Sequence, residues 1–483
     1  MDRTYWFQLR KAVQAVTLSG TGRKPGPDRR AEYFRRAGSG RYLSGVALLA
    51  LAACSSGNNG VSPTVSVQRN VAVLLPLTGP NAVLGNEMLS AARLALSRPA
   101  GSTTLKATTS LPQVDAHDTA GPGGAAGAAQ AAIAAGDGII LGPLTSPDTS
   151  LIAPAALQAS VPVIAFTSDA NQKRPGVWVF GITPQQQVDR LVAAGVAEGR
   201  HQFAAFLPDN PLGHALGDAL IQSCHAKGLA DPLIAYHVNT PEAISAGLAT
   251  LSAYDSRVAA ASGQATGSAS DLPPDLAAAL SSAPKADSVA PSDGNTASAN
   301  KQITGGEAGN AATAASQALS APPFDALLLG DLGLSLKNVI DGLKTNQISG
   351  SQVRLMGPGL WSAFSLKLGS IGGAWYAAPD PSDRKVFVQN FTTQMHRAPK
   401  PLADLAYDAG ALAGSVSASS GGKGYPVDIM TRSQGFTGVD GLFTLLPDGS
   451  TTRDLAIFEI QAGGGARIIA TQSTRGPSAP DAI

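Results

Sequence analysis

The sequence predicts an α/β protein with two parallel sheets, and three observations lead there. Apolar runs of strand length recur along the chain, each followed by a loop and then by apolar residues at helical spacing. The runs are continuous rather than alternating, as strands covered on both faces are. Apolar residues make up 44% of 483 positions, which is enough for two cores.

The elements follow in order. Val71 to Leu75 reads as a buried strand, Leu77, Thr78 and Gly79 turn the chain, and Gly85 to Leu96 is a helix carrying Met88, Leu89, Ala92 and Leu96 on one face. Ile139 to Leu141, the loop Gly142 to Pro147 and the helix Asp148 to Ser160 repeat the unit. Val163 to Phe166 is a third strand, ending in Thr167, Ser168 and Asp169. Three strand ends therefore set Thr78, Thr145 with Ser146, and Thr167 with Ser168 along one sheet edge. In open α/β sheets the crevice beyond that edge holds small molecules. Hydroxyls and helix-start amides are neutral donors suited to a carboxylate or another small anion, and each hydroxyl is equally placed to be a helix N-cap.

Further along, Gln202 to Leu207 is a strand, Leu212 to Lys227 a helix and Leu229 to His237 a strand. Phe324 to Gly330 is a strand ending at Asp331, Ser335 to Leu343 a helix and Val353 to Met356 a strand. Right-handed βαβ connections make these a second parallel sheet. Leu402 to Ser417 reads as a helix, and Gly441 to Ile460 as a hairpin-like stretch about the Asp448-Gly449 turn. Ala259 to Ala321 has too few large apolar side chains to offset the entropy of ordering, so it reads as a disordered insertion with a short helix at Asp271 to Leu280.

The N-terminal region carries a second signal. Arg35, Arg36 and Arg41 precede an apolar stretch from Val46 to Ala53 and then Cys54, in the order of a bacterial lipoprotein signal peptide whose Cys receives lipid. Residues 1–53 hold ten Lys and Arg against three Asp and Glu, leaving 25 against 31 in the rest, a net of −6. Such a balance argues against a nucleic-acid partner. Cys224 is left without a disulfide partner, and its neighbour His225 has no second ligand pair nearby. Ser382 to Lys385 fits S-x-x-K without its companion motifs, and Gly121-x-Gly123-x-x-Ala126 lacks the strand-to-helix turn of a dinucleotide loop. No catalytic residues, metal or cofactor are therefore expected.

The segments VAVLLPLTGPNAVLGNEMLSAARLAL, GIILGPLTSPDTSLIAPAALQASVPVIAFTSD and VFGITPQQQVDRLVAAGVAEG, with GFTGVDGLFTLLPDG near the end, resemble the type I periplasmic-binding-protein fold. Within it they resemble the Leu/Ile/Val-binding branch of ABC solute-binding proteins and its sibling, the penicillin-binding-protein activator lipoproteins. The resemblance implies two Rossmann-like lobes joined by a three-crossing hinge. It divides the chain into a signal peptide with a long n-region (1–53), a lipidated tether (54–67), lobe 1 (68–183 and 359–440), lobe 2 (184–358 and 441–465, with the insertion 259–321) and a flexible tail (466–483).

By the same resemblance, Ser146 and Thr167, with Ala165 beside them, fall on positions that hold the carboxylate of a small polar ligand such as an amino acid. Asp331 falls near the acidic residue that pairs the ligand's ammonium, a place equally suited to a cap after its strand. Thr78, Thr145 and Ser168 at the strand ends and Leu212 in the second lobe's first loop complete the expected site. Leu212-Gly213 stands where amino-acid binders place Tyr-Gly, so Trp361 or Tyr376 is left to line the cleft. The implied function is a non-enzymatic, lipid-anchored periplasmic receptor that delivers its ligand to an ABC permease. The alternative is an activator that regulates a peptidoglycan synthase by protein contact, and Ser55 after Cys54 suits an outer-membrane address for it.

Overall fold

The computed structural model describes residues 70–97, 111–267 and 319–471. The signal peptide, Cys54, the tether and the helix expected at Asp271 to Leu280 lie outside them. From Asn70 the chain runs β1 (Val71–Leu75), α1 (Ala82–Leu96), β2 (Val114–Asp118), α2 (Gly124–Ala135), β3 (Ile139–Leu141), α3 (Ser146–Gln158), β4 (Val163–Ala165) and β5 (Val177–Val179). These strands form one parallel sheet in the order β2-β1-β3-β4-β5. β1 and β3 to β5 are buried at every residue, which is why their sequences are unbroken apolar runs. β2, at the edge, reads Val-Asp-Ala-His-Asp and is half-buried.

The second lobe starts with α4 (Pro184–Ala197), β6 (Phe203–Pro208), α5 (Pro211–Ala226), β7 (Leu233–His237), α6 (Pro241–Leu251) and α7 (Tyr254–Gly267). It continues with β8 (Ala326–Leu329), α8 (Gly333–Thr345), β9 (Arg354–Gly357) and β10 (Trp375–Ala378). Then come α9 (Lys385–Met395), α10 (Ala403–Ser419), α11 (Val427–Met430), and an antiparallel trio β11 (Phe436–Gly438), β12 (Gly441–Leu445) and β13 (Thr451–Arg453). β14 (Ala456–Ile460) and β15 (Ala466–Ala470) close a seven-stranded sheet in the order β15-β14-β10-β9-β8-β6-β7.

Each sheet has a core on both faces. α1, α9, α10 and the antiparallel trio cover one face of the first sheet, with Trp178, Phe391, Phe436 and Phe443 buried there, and α2 and α3 cover the other. The second sheet is covered by α6 and α8 on one face and by α4 and α5 on the other.

Four boundaries differ from the expected ones. The turn after β9 buries Trp361 completely in the second core, and β10 pairs with β9, so the chain recrosses after Ala378 rather than near Pro358. The Asp448-Gly449 turn does join two strands, β12 and β13, but they stay with the first lobe. Trp178 Nε1 donates to the Leu446 carbonyl at 2.7 Å and the Val179 amide to the Gly449 carbonyl at 3.0 Å, tying the turn to β5. That approach requires Gly449, which has φ +87° and whose added Cβ would lie 2.4 Å from backbone oxygens of Arg174 and Val177. Residues 466–470, expected in a flexible tail, are strand β15, held by β14, and α7 carries the chain nine residues into the expected insertion. The sequence patterns could not separate these cases, because both lobes bury strands of the same composition.

The chain thus passes between lobes at residues 180–183, 379–384 and 454–455.

Candidate functional site

The first-lobe residues expected to bind a ligand fall on the strand tips, where the hydroxyls of Thr78 and Ser146 donate to the chain's own carboxylates and those of Thr145 and Thr167 accept from backbone amides. Thr78 follows β1 and is exposed. Its Oγ1 donates to Asp118 Oδ2 at 2.6 Å, while the amides of Leu77 and Ala120 donate to Oδ1 at 2.8 and 2.9 Å. The Thr78 hydroxyl, helped by the backbone amides, holds the Asp118 carboxyl below the usual carboxylate range.

A second carboxylate does the same at the tips of β3 and β4. Thr145 is the N-cap of α3, its Oγ1 accepting from the Asp148 amide at 3.2 Å, with Pro147 inside the first turn. Ser146, the first helical residue, donates its hydroxyl to Asp169. Thr167 is buried, and its Oγ1 accepts from the Asp169 amide at 3.1 Å. Asp169 also accepts from the Asn171 amide at 3.0 Å and from Gln172 Nε2 at 3.2 Å. Burial acts to raise the pKa of Asp169, but the Ser146 hydroxyl, the Asn171 amide and Gln172 outweigh it, so the carboxyl sits below its ordinary value. Ala165 is buried in β4, its carbonyl taken by the Phe180 amide, and Ser168 is exposed beside this network. Ser146 and Thr167 are therefore brought together around Asp169, whereas Thr78 belongs to a separate network.

In the second lobe the expected residues are held within the core. Asp331 is 2% exposed: its Oδ2 lies 3.1 Å from His237 Nε2, its Oδ1 accepts from the Ser335 hydroxyl, and its carbonyl accepts from Trp361 Nε1 at 3.2 Å. Both carboxylate oxygens of Asp331 are thus engaged, and the group is buried from solvent. Its neighbours also stack, His237 on Phe206 with ring centroids 4.3 Å apart, so the carboxylate is walled in. Leu212 packs against the second core, and the candidate aromatics Trp361 and Tyr376 are core residues too. Gly213 is needed where it stands, since a Cβ there would meet the Pro208 carbonyl oxygen at 1.9 Å.

The cavities among the described residues include two away from the strand tips. One, of about 490 Å³, is lined by Ile340, Leu343, Ile348 and Leu355, and the other, of about 410 Å³, by Val83, Asn86, Glu87 and Arg397. Neither includes any of the eight expected residues. The functional groups missed by sequence reasoning are Asp118, Asp169 and His237. Asp169 had a readable signal: an Asp two positions after a strand-end Thr, placed to accept from backbone amides as an Asx turn does.

Residues 68–287 match the family described as periplasmic binding protein. A curated relative, the uncharacterized protein RP748 of Rickettsia prowazekii (strain Madrid E), is 24% identical over 214 residues, covering 44% of this chain and 55% of that protein. Among solved structures, a putative branched-chain amino acid ABC transporter from Rhodospirillum rubrum superposes with a TM-score of 0.56 at 16% identity, covering 83% of this chain and 99% of that one. The C-domain of LpoA from Haemophilus influenzae, a regulator of PBP1A, gives 0.51 at 16% identity, covering 83% and 100%. This chain spans about half the length of its curated relative and 59% of full-length LpoA.

Proposed function

Since the chain has the type I periplasmic-binding-protein fold, we propose that it acts in the periplasm as a lipid-anchored regulator of a peptidoglycan synthase, through protein contact, and not as a receptor feeding an ABC permease. The observation that supports this is the engagement of the Thr78 and Ser146 hydroxyls by the chain's own carboxylates Asp118 and Asp169. Ser146, the hydroxyl best placed for a ligand carboxylate, is bonded to Asp169. A ligand carboxylate brought to the same place meets a like charge. At 4 Å near a protein surface that repulsion is about 4 kcal/mol, against the ~1 kcal/mol that one hydroxyl hydrogen bond returns. The amino end of an amino acid fares no better, because Asp331 is buried with His237. A bilobed scaffold that has internalised its ligand contacts keeps its shape without solute and offers its outer surface to a partner.

The experiment has two arms. Residues 55–483 are heated with each amino acid in turn, and a receptor shows a saturable rise in Tm by mass action, whereas the proposed regulator shows none. Purified bifunctional peptidoglycan synthase is then assayed for polymerisation and crosslinking with and without the protein, and a change in either rate is expected. A saturable amino-acid shift with no effect on the synthase returns the receptor function. The anchor is tested by Cys54→Ala, which should release the protein from membrane fractions.

A further inference from the structure

The three crossings between lobes converge on a buried ionic cluster that neither a ligand site nor a docking surface accounts for. Arg384 is the last residue of the second crossing, and its Nη2 lies 2.5 Å from Asp404 Oδ2 on α10. Arg453 ends β13 immediately before the third crossing, and its Nη1 lies 3.2 Å from Asp408 Oδ2 one turn further along α10, with both side chains 1% exposed. The Arg453 guanidinium sits 5.0 Å from the ring centroids of both Phe180, the first residue of the first crossing, and Phe443. The turn between β11 and β12 wraps the same carboxylate: the Val439 amide donates to Asp408 Oδ1 at 2.6 Å and the Asp440 amide to Oδ2 at 3.4 Å. A Cβ at Gly438 would collide with that carboxylate at 2.4 Å.

Asp440 is the member left over. It is 4% exposed, and its Oδ1 has no hydrogen-bond partner. Two donors nearby are equally unused, Arg384 Nε and Arg453 Nη2. Three carboxyl groups against two guanidiniums balance only if one carboxyl carries a proton, and a buried site of low polarity enforces that balance.

We propose that this cluster is a proton-operated catch on the hinge, with Asp440 as the titrating group. With Asp440 neutral, the pairs Arg384 with Asp404 and Arg453 with Asp408 hold the second and third crossings against α10. Loss of its proton to solvent leaves a third buried negative charge beside two guanidiniums that each have an N–H to spare. Turning either toward Asp440 draws on a crossing at the point where it enters or leaves the first lobe, and so changes the angle between lobes.

The electrostatics agree with that geometry. Burial, followed by the charges of Asp404 and Asp408, pushes Asp440 well above the usual carboxylate range, against the opposing pull of Arg453 and Arg384. Burial likewise raises Asp408 to about 6 despite Arg453. The other titratable groups facing the cluster are Tyr407 on α10, raised by burial and by Asp408, and Asp454, which follows Arg453 and faces Arg190 of α4. Arg384 is partly exposed and gives the proton a route to water.

Spin labels at Leu151→Cys and Lys227→Cys, on exposed positions of the two lobes in a Cys54→Ser chain, report the interlobe distance. The native cluster should give one distance distribution at about pH 7, where Asp408 is ionised, and a shifted one at about pH 9, with a single step between, and Asp440→Asn should abolish the step. Asp404→Asn, which removes one repelling charge, should move the midpoint to lower pH. A native distribution identical at both pH values overturns the proposal, as does a step that survives Asp440→Asn. Should that variant fail to fold, an unmoved midpoint in Asp404→Asn overturns it. A pH-blind hinge leaves the regulatory reading of the protein untouched, because synthase stimulation is measured independently.

Discussion

Replacing Asp169 with Ala tests whether the strand tips of β3 and β4 are held together by an internal stand-in for a ligand carboxylate. The substitution removes the acceptor for the Ser146 hydroxyl, the Asn171 amide and Gln172 Nε2, and the cap of the 3₁₀ turn Ala170–Gln172. Hydrogen bonds to a charged group contribute about 1.5–3 kcal/mol each when buried, and a lost cap costs ~1 kcal/mol. Asp169 is only half-buried and the three bonds share one anchor, so the expected net loss is about 2 kcal/mol. For a lobe of this size that is a fall in Tm of roughly 4–8 °C. The vacated cradle retains one hydroxyl and two N–H donors, so free acetate should bind it and restore about 1.4 kcal/mol at ten times its Kd.

The pH dependence has a definite sign. The folded pKa of Asp169 lies below its unfolded value, so its contribution is present above the unfolded value of about 3.9 and is lost as pH falls through the folded one. The native and Asp169→Ala melting curves should therefore converge in acid below that value. Differential scanning fluorimetry in acetate against chloride at fixed ionic strength is sufficient. A loss under about 0.5 kcal/mol, or an acetate effect equal in the native protein, refutes the stand-in reasoning.

The remaining predictions concern the scaffold. Asp331→Ala should cost about 3–5 kcal/mol, because it leaves His237 and the Ser335 hydroxyl buried without their partner, and chemical denaturation measures it. Arg453→Met should cost a similar ~3–5 kcal/mol by stranding Asp408, and the loss should shrink at acid pH as that carboxyl protonates. Gly85→Ala and Gly213→Ala should each destabilise by about 1–3 kcal/mol or more, since the new methyl meets the carbonyl oxygens of Pro76 and Pro208 at 2.1 and 1.9 Å. Cys224 is fully buried, and its thiol is pushed up to about 11 by burial and Asp231, so it should resist thiol reagents at neutral pH until the protein unfolds.

The fold was legible because buried parallel strands and amphipathic helices write distinct periods into the chain. Val71 to Leu75 and Ile139 to Leu141 are such strands, and the helix expected over 402–417 is α10. Which lobe owns an element was not legible. Trp375 to Ala378 could cover either core, and only its pairing with β9 and β14 decides. At the candidate site the hydroxyl residues were found but their partners were not. A Ser or Thr at a strand tip is equally consistent with a ligand contact and with an internal bond, and the difference depends on a carboxylate 23 residues away for Ser146 and 40 away for Thr78. The partner of Asp331 was hidden for the same reason, since His237 is 94 residues away in sequence and reaches it from β7, on the far side of β6 from β8.

Asp118 and Asp169 together explain how a scaffold of this kind can stand without solute. In a two-lobed receptor, orphan helix-start amides and hydroxyls are satisfied by water when open and by ligand when closed, and the difference in free energy drives closure. Here both tips are satisfied within the first lobe, at Asp118 by Thr78 and three amides and at Asp169 by Ser146, Asn171 and Gln172. Under the proposed function a solute then has little differential affinity to offer, and a ligand with equal affinity for both states shifts neither. Control of the angle between lobes then passes to groups that touch the crossings themselves, and the buried charges there belong to Arg384, Arg453 and the carboxyls they face. Under the proposed function, a partner protein or a proton acts on those crossings in place of a captured amino acid.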